Sequence, residues 1–353
     1  MFRTGIILAV TSAALFGAST PFAKLLLASV DPWVMAGLLY LGVGFGLAAV
    51  HVSRKVLRMP TVESPLRRAD LPCLTIVIVM GGLLGPLLLM YGLNQTDAAG
   101  ASLLLNLEGL ATMGIAWVVF RENVDRRLLL GAAAILAGAA LISWRGHASF
   151  QWGAVLIAGA CLCWGIDNNM TRKLSSADPV QIAMLKGLFA GTVNLTLAMM
   201  NGASLPPFSV LFTATLIGFF GYGVSLTLFV LGLRHLGAAR TGAYFSRAPF
   251  VGAILAVVIL GEPLSMLLLI AGGLMGLGLW LHLSERHGHD HTHETMVHEH
   301  RHHHDEHHQH DHHSAVHPGV EHTHMHHHRP LVHGHPHYPD LHHRHGHSIR
   351  TET

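Results

Sequence analysis

Apolar residues run along this chain in ten stretches close to the roughly 20 residues a helix needs to cross a hydrocarbon core about 30 Å thick. They lie near residues 4–27, 32–52, 71–92, 98–120, 127–144, 151–171, 179–200, 208–232, 239–260 and 263–283. A water-soluble core would need ten long helices that are hydrophobic all round, so the pattern predicts an all-α integral membrane protein with ten spans. From Ser284 onward the apolar runs stop and histidine and charged residues take over.

Composition sharpens that division. The chain has 353 residues and 31 histidines, and all histidines except His51, His147, His235 and His282 lie between His287 and His347. Glycine is dense in the apolar part, with runs such as Gly42, Gly44, Gly46 and Gly272, Gly273, Gly276, Gly278. Small residues of this kind suit close packing of membrane helices. The first stretch resembles a cleaved signal because Arg3 precedes it. It continues past Pro21 and Lys24 without a clear small-x-small cleavage site, so it is expected to remain as a span. Cys73, Cys161 and Cys163 make no disulfide framework.

Basic residues predict the orientation. With the N-terminus in the cytoplasm, the inner segments hold Arg3, Arg54, Lys55, Arg58, Arg67, Arg68, Arg121, Arg126, Arg127, Arg172, Lys173, Arg234 and Arg240, against Lys24 and Arg145 outside. An even number of spans then places both termini in the cytoplasm of a multi-pass plasma-membrane protein.

The chain also repeats itself. A shift of 140 lays Tyr91-Gly-Leu-Asn-Gln-Thr-Asp-Ala-Ala over Leu231-Gly-Leu-Arg-His-Leu-Gly-Ala-Ala and Glu122 over Glu262. Shifts of 147 and 148 lay Ser29-Val-Asp-Pro over Ser176-Ala-Asp-Pro and Phe16-Gly17 over Trp164-Gly165. Two five-helix units follow, residues 1–145 and 146–283, with the tail at 284–353. An odd number of spans per unit makes the second enter the membrane from the opposite side, the inverted-repeat architecture of many secondary transporters, which work by alternating access.

Leu15-Phe-Gly-Ala-Ser-Thr-Pro with Lys24, the two Asp-Pro pairs, the Gly-Leu-x4-Ala-Ala runs before the fourth and ninth spans, and Gly261-Glu262-Pro263 together resemble the drug/metabolite transporter superfamily, in its ten-span EamA type. The resemblance covers nearly all of residues 1–283. It implies a bacterial inner-membrane protein that moves small solutes, often exporting amino acids or related metabolites. Members carry a proline in the middle of both the fourth and the ninth span. Here Pro249 fills the second position, and Gly109, beside Glu108, stands at the first.

Ionisable residues within spans are expensive and mark candidate sites. Glu108 and Arg247, near the middle of the fourth and ninth spans, match to within one residue under the repeat. They are expected to face one another in the solute path, contacting a zwitterion or exchanging an ion pair for a proton; the alternative is a permanent structural salt bridge. Asp167, Asn168 and Asn169 are expected to interrupt the sixth span just after Trp164, at the place of Ser19, Thr20 and Pro21 in the first half. Lys186 either joins that site, snorkels to the cytoplasmic edge or pairs with Asp167. Asn106, Ser246 and Tyr244 complete the candidates. Glu122 and Glu262 read as carboxylates at the start of the helices that follow them. Nothing in the chain resembles a phosphate loop, a nucleophile elbow or a zincin motif, so an enzyme is not expected.

The tail carries His287, His289, His291 and His293, then His298, His300 and His302 with His303 and His304, then His307, His308, His310, His312 and His313, and finally His326, His327 and His328 among acidic residues. Neutral imidazole ligates zinc, nickel, cobalt and copper, so this stretch is expected to bind several such ions and, having few apolar residues, to lack a fold of its own until something orders it. Transport itself requires no cofactor. The expected partners are a small-molecule solute, the lipid bilayer and divalent transition metals on the tail. Nothing points to nucleic acid, and a homodimer is compatible with the chain. The favoured reading is a solute transporter with a regulatory or buffering tail. A nickel, cobalt or zinc transporter is one alternative, with Cys163, Asp167 and Met170 as its best internal ligands, and a membrane-embedded metal sensor is another.

Overall fold

The structure, a computed structural model, describes the backbone of residues 2–57, 66–120, 126–144, 151–174, 178–236, 238–283, 287–293, 296–302, 322–328 and 331–337. Continuous helices are α1 (Phe2–Leu27), α2 (Pro32–Val56), α5 (Arg126–Ser143), α6 (Trp152–Lys173), α7 (Pro179–Met200) and α10 (Met266–Leu283). Four rods are composite. α3 runs as Leu71–Val77, a π-helical Ile78–Leu84 and Gly85–Asn94, and α8 as Phe208–Gly218, a π-helical Phe219–Val224 and Ser225–Leu236. α4 is split into Ala98–Leu104 and Leu107–Phe120, and α9 into Ala238–Phe245 and Ala248–Leu260.

Nine of these rods, among the described residues, are long and apolar enough to cross a membrane. The remaining expected span is α6, whose 22 residues suffice in length. What sets it apart is polarity, because Asp167, Asn168 and Asn169 fall inside it. The helix is nonetheless unbroken there, which corrects the expected interruption. Asn169 explains this: its side-chain amide donates back to Gly165 O at 2.8 Å and across to Thr112 O at 3.0 Å, so the polar run is satisfied within the helix packing. α1 likewise continues through Pro21.

Local chemistry sets the starts of the matched helices. Asp31 accepts from the backbone N–H of Trp33 and Val34 at the head of α2, and Asp178 from that of Val180 at the head of α7, each with a proline in the first turn. This is an N-cap followed by a residue that has no N–H to lose.

Packing reproduces the duplication. α2 lies on α7, α5 on α10, α1 on α8 and α9, α6 on α3 and α4, and α4 on α9. Adding five to every label, modulo ten, returns the same set of neighbours, as two inverted five-helix repeats require. Glycine makes the central crossing possible: a Cβ on Gly187 of α7 would lie 2.8 Å from the Cα of Gly44 on α2. The core is built from residues such as Val34, Met35, Leu38, Leu39, Leu89, Met90, Leu93, Leu104 and Ile157, all essentially inaccessible.

Glu262 does not act on the helix that follows it. Gly261, at φ 66°, ends α9 in the left-handed conformation, and the Glu262 carboxylate accepts from the backbone N–H of Ala98 at 2.7 Å and Ala99 at 2.8 Å. It therefore caps α4 from the opposite repeat, an interaction that sequence distance conceals. Lys24 donates to Leu93 O at 2.6 Å and Thr96 O at 2.8 Å on the same connection. Glu122 lies outside the described residues.

In the tail the backbone is described only in four extended segments. The extended segments β1 (His287–His293) and β4 (Leu331–His337) pair antiparallel, as do β2 (Met296–His302) and β3 (His322–His328). The alternating His-x-His pattern has the period of a strand, and a ribbon satisfies backbone groups without any core. Two-stranded ribbons of this kind are marginal in water on their own.

Candidate solute site

Two kinds of helix irregularity interrupt the rods, and both occur twice. The π-helical turns of α3 and α8 coincide under the repeat, as do the breaks in α4 and α9. In α3 Pro86 has no N–H to give the carbonyl four residues back, whereas α8 makes the same turn with Leu226 at that position. The loosened carbonyls find other donors: Gly81 O accepts from the Tyr40 hydroxyl at 2.6 Å and from Trp164 Nε1 at 3.1 Å, and Gly82 O faces the Asn194 amide at 3.4 Å.

The breaks have matched caps. Asn106 donates to Leu103 O at 2.8 Å and Ser246 to Ala243 O at 3.1 Å, each reaching three residues back. Pro249 explains the break in α9. In α4 the chain manages without proline through tight bonds from Leu105 N to Ser102 O and from Asn106 N to Leu103 O. Asn106 and Ser246, candidates for the solute path, each make one such bond to the backbone. Each break leaves a half-helix N-terminus inside the bundle, where broken transporter helices present partial positive charge.

Glu108 stands in the first turn of one such half-helix, and Arg247 immediately precedes the other without a side-chain capping bond. They do not pair. Glu108 Oε1 accepts from the Asn168 amide at 2.9 Å, and that amide also reaches Thr112 Oγ1 at 3.2 Å. Arg247 is exposed and lies over the Tyr244 ring, 4.9 Å from its centroid, a cation–π geometry. The permanent Glu108–Arg247 salt bridge considered from sequence is thus absent among the described residues. Space beside Glu108 is open, since a Cβ on Gly109 would meet nothing within 4 Å.

Deeper in, Lys186 forms an ion pair with Asp167, whose other oxygen accepts from Thr171 at 3.1 Å. The side chains are 17% and 7% exposed, so the pair sits nearly dry. Of the roles considered for Lys186, pairing holds and snorkelling does not. A Cβ on Gly81 would fall onto this pair, so the absence of a side chain at that position is what admits it. Trp164 is buried with its indole on Gly81 O, a wall of the site.

Aromatic rings connect this corner to its counterpart. Tyr40 meets Tyr222 with centroids 6.0 Å apart, Tyr222 meets Phe16 at 5.5 Å, and Phe16 meets Phe245 at 5.4 Å. Sequence reasoning missed Tyr40, Gly81, Thr112, Thr171 and Tyr222. Gly81 and Gly221, alike under the 140-residue shift, were the one signal that could have found the π-helical turns. Among the described residues no group of three or more His, Cys, Asp or Glu could hold a metal ion, and Asp167 is engaged by Lys186 and Thr171 rather than by Cys163. The tail histidines have described backbone only in part, and their ligating atoms lie outside the description.

Comparison with known proteins places these features. The EamA-like transporter family matches residues 3–144 and again 151–284. An uncharacterised transporter of Methanothermobacter thermautotrophicus is 29% identical over 292 residues, covering 78% of this chain and 85% of that protein. A probable terminal-alkyne amino-acid exporter of Streptantibioticus cattleyicolor is 26% identical, covering 70% and 86%. An uncharacterised inner membrane transporter of Escherichia coli K12 is 24% identical, covering 70% and 80%. One solved crystal structure shares the fold with TM-score 0.58 at 18% identity, over 80% of this chain and 97% of its own.

Proposed function

The chain belongs to the EamA-like transporter family, and we propose that the small solute it moves is a zwitterion of the amino-acid class, exported by alternating access. The observation that carries this reading is the pair of opposite, mutually unpaired charges at the two half-helix N-termini. Glu108, steadied by Asn168, takes the ammonium of the solute and Arg247 takes its carboxylate, with Tyr244, Tyr40 and Trp164 as walls. One carboxylate oxygen of Glu108 accepts from Asn168, and the other has no described partner. The name of the amino-acid exporter among its relatives supports the same class and direction. The chain acts as a carrier in the inner membrane rather than as an enzyme, with both termini in the cytoplasm.

Counterflow of a labelled amino-acid panel in proteoliposomes tests this. Glu108→Gln and Arg247→Gln each remove a charge-assisted contact of about 1.5–3 kcal/mol, which slows exchange by about 10- to 100-fold while the protein stays folded. Exchange by both variants at the wild-type rate excludes the zwitterion reading.

The tail is proposed to bind zinc, nickel, cobalt or copper ions and to buffer or regulate. Imidazole ligates only when neutral, so retention on a chelating column is expected to fall as pH drops through about 6.5. Deleting residues 284–353 abolishes that retention and leaves amino-acid counterflow in place. Retention that survives the deletion overturns the assignment.

A further inference from the structure

We propose that Lys24 and Glu262 form a latch that holds this carrier shut at its outer end, so that the conformation seen here opens to the cytoplasm. This rests on the transporter reading above and adds to it which end is closed and what closes it.

The repeat predicts two matching junctions between α4 and α9, one at each end of the bundle. Only one of them is closed. There the first half of α4 (Ala98–Leu104) packs on the second half of α9 (Ala248–Leu260). The approach is tight, since a Cβ on Gly252 would lie 3.0 Å from Ser102 Cβ and 2.7 Å from Gly17 O of α1. Under the 140-residue shift Ser102 matches Gly242, and Gly252 matches Thr112. At that second junction a Cβ on Gly242 would meet nothing within 4 Å, and among the described residues no comparable packing joins Leu107–Phe120 to Ala238–Phe245. Gly109, beside Glu108 in the same half of α4 as Thr112, is open as well. Two units of one fold thus meet at one end and part at the other, the asymmetry an inverted repeat acquires when it opens to one side. With the N-terminus in the cytoplasm, the closed junction is the outer one.

Packing also says which parts separate when that junction opens. α1 lies on α8 and α9, whereas α6 lies on α3 and α4. Lys24 stands on α1 and Glu262 directly follows α9, yet both grip the connection between α3 and α4 on the opposite body. Lys24 donates to Leu93 O and Thr96 O at the C-terminal end of α3 and reaches Asn94 O at 3.4 Å. Glu262 accepts from Ala98 and Ala99 at the N-terminal end of α4. Each charge has the sign that its helix end favours. α4 already has an N-cap of its own, because Asp97 accepts from Gly100 N at 2.7 Å. The second carboxylate, brought from the other repeat, ties two bodies together. All of these bonds cross the junction, so all of them break when it opens.

The test reads both junctions by cysteine labelling in the full chain with Cys73, Cys161 and Cys163 replaced by serine. One reporter is Ser102→Cys, at a buried hydroxyl without a described hydrogen-bond partner, and the other is Gly242→Cys, where a side chain has room. In right-side-out and inside-out vesicles, a membrane-impermeant maleimide is expected to label Gly242→Cys from the cytoplasmic face and to leave Ser102→Cys unlabelled from either face. Glu262→Gln and Lys24→Met, made separately, are each expected to speed labelling of Ser102→Cys from outside by about 10- to 100-fold, the factor for one lost charge-assisted bond. Neither speeds labelling of Gly242→Cys, and the two combined slow it. A rise at both reporters alike means that the substitutions merely loosen the fold, and it overturns the proposal. So does an unchanged Ser102→Cys in both latch variants. Labelling of Gly242→Cys from the outer face, or of Ser102→Cys before any latch residue is changed, places the closed end wrongly and overturns it without recourse to the variants. Labelling needs no solute: absence of counterflow with every amino acid defeats the transport reading, while the latch stands or falls on these rates.

Discussion

The two π-helical corners of this molecule are the same structure carrying different chemistry. At one, the π-helical turn of α3 meets Asp167 and Lys186. At the other, the π-helical turn of α8 meets Ser19, with Leu39 in the place of the lysine and Phe16, Tyr222 and Phe245 around it. The backbone irregularity is common to both, so it belongs to the architecture. The charge is present in one only. Duplication within a single chain thus supplies an internal control that an ordinary fold lacks.

The largest effect should come from breaking the charged corner halfway. Lys186→Met leaves Asp167 buried and unpaired, a loss of about 3–5 kcal/mol. Thermal unfolding in detergent should register it as a large fall in Tm. Converting the corner fully into its counterpart, with Asp167→Ser and Lys186→Leu together, should return Tm to the wild-type value or above, because a buried pair replaced by apolar groups is often neutral or stabilising. If it remains as unstable as Lys186→Met, the corner is architectural after all.

A smaller effect concerns Gly81 O, which two donors share. Tyr40→Phe and Trp164→Phe should each cost about 1 kcal/mol, since the other donor stays in place. Removing both orphans the carbonyl, so the double loss should exceed the sum by about 1–3 kcal/mol. A double-mutant cycle on Tm reads this directly, and strict additivity would show that the two bonds act separately.

The smallest effect compares the two breaks. Ser246→Ala should cost little, because Pro249 terminates the ladder in α9 regardless, whereas Asn106→Ala removes the side chain that caps a break lacking proline. A difference of about 0.5–1 kcal/mol in favour of Asn106 is expected from unfolding curves. Equal losses would mean that Gly109, rather than Asn106, sets the break in α4.

Much of this architecture was legible along the chain. Hydrophobic runs of spanning length, the 140-residue echo and the two Asp-Pro starts express local physics: burial of a helix in lipid, and satisfaction of its first N–H groups. Glu108, Asp167 and Arg247 stood out because a charge inside an apolar run is costly wherever the run folds. Polarity also misled. Asp167 to Asn169 suggested a broken helix, yet an amide that bonds back to Gly165 leaves the helix whole.

What sequence alone determined, then, is which segments enter the membrane and that they do so as two related units, because those properties depend on each segment's own composition. Tertiary structure alone decided the partnerships: Lys186 with Asp167, Glu108 with Asn168 rather than Arg247, and Glu262 on the N-terminus of α4. Partners 19, 60 and 164 residues apart are set by how helices cross, and the crossing is fixed by close approach at glycines such as Gly81 and Gly187, whose neighbours no linear pattern names.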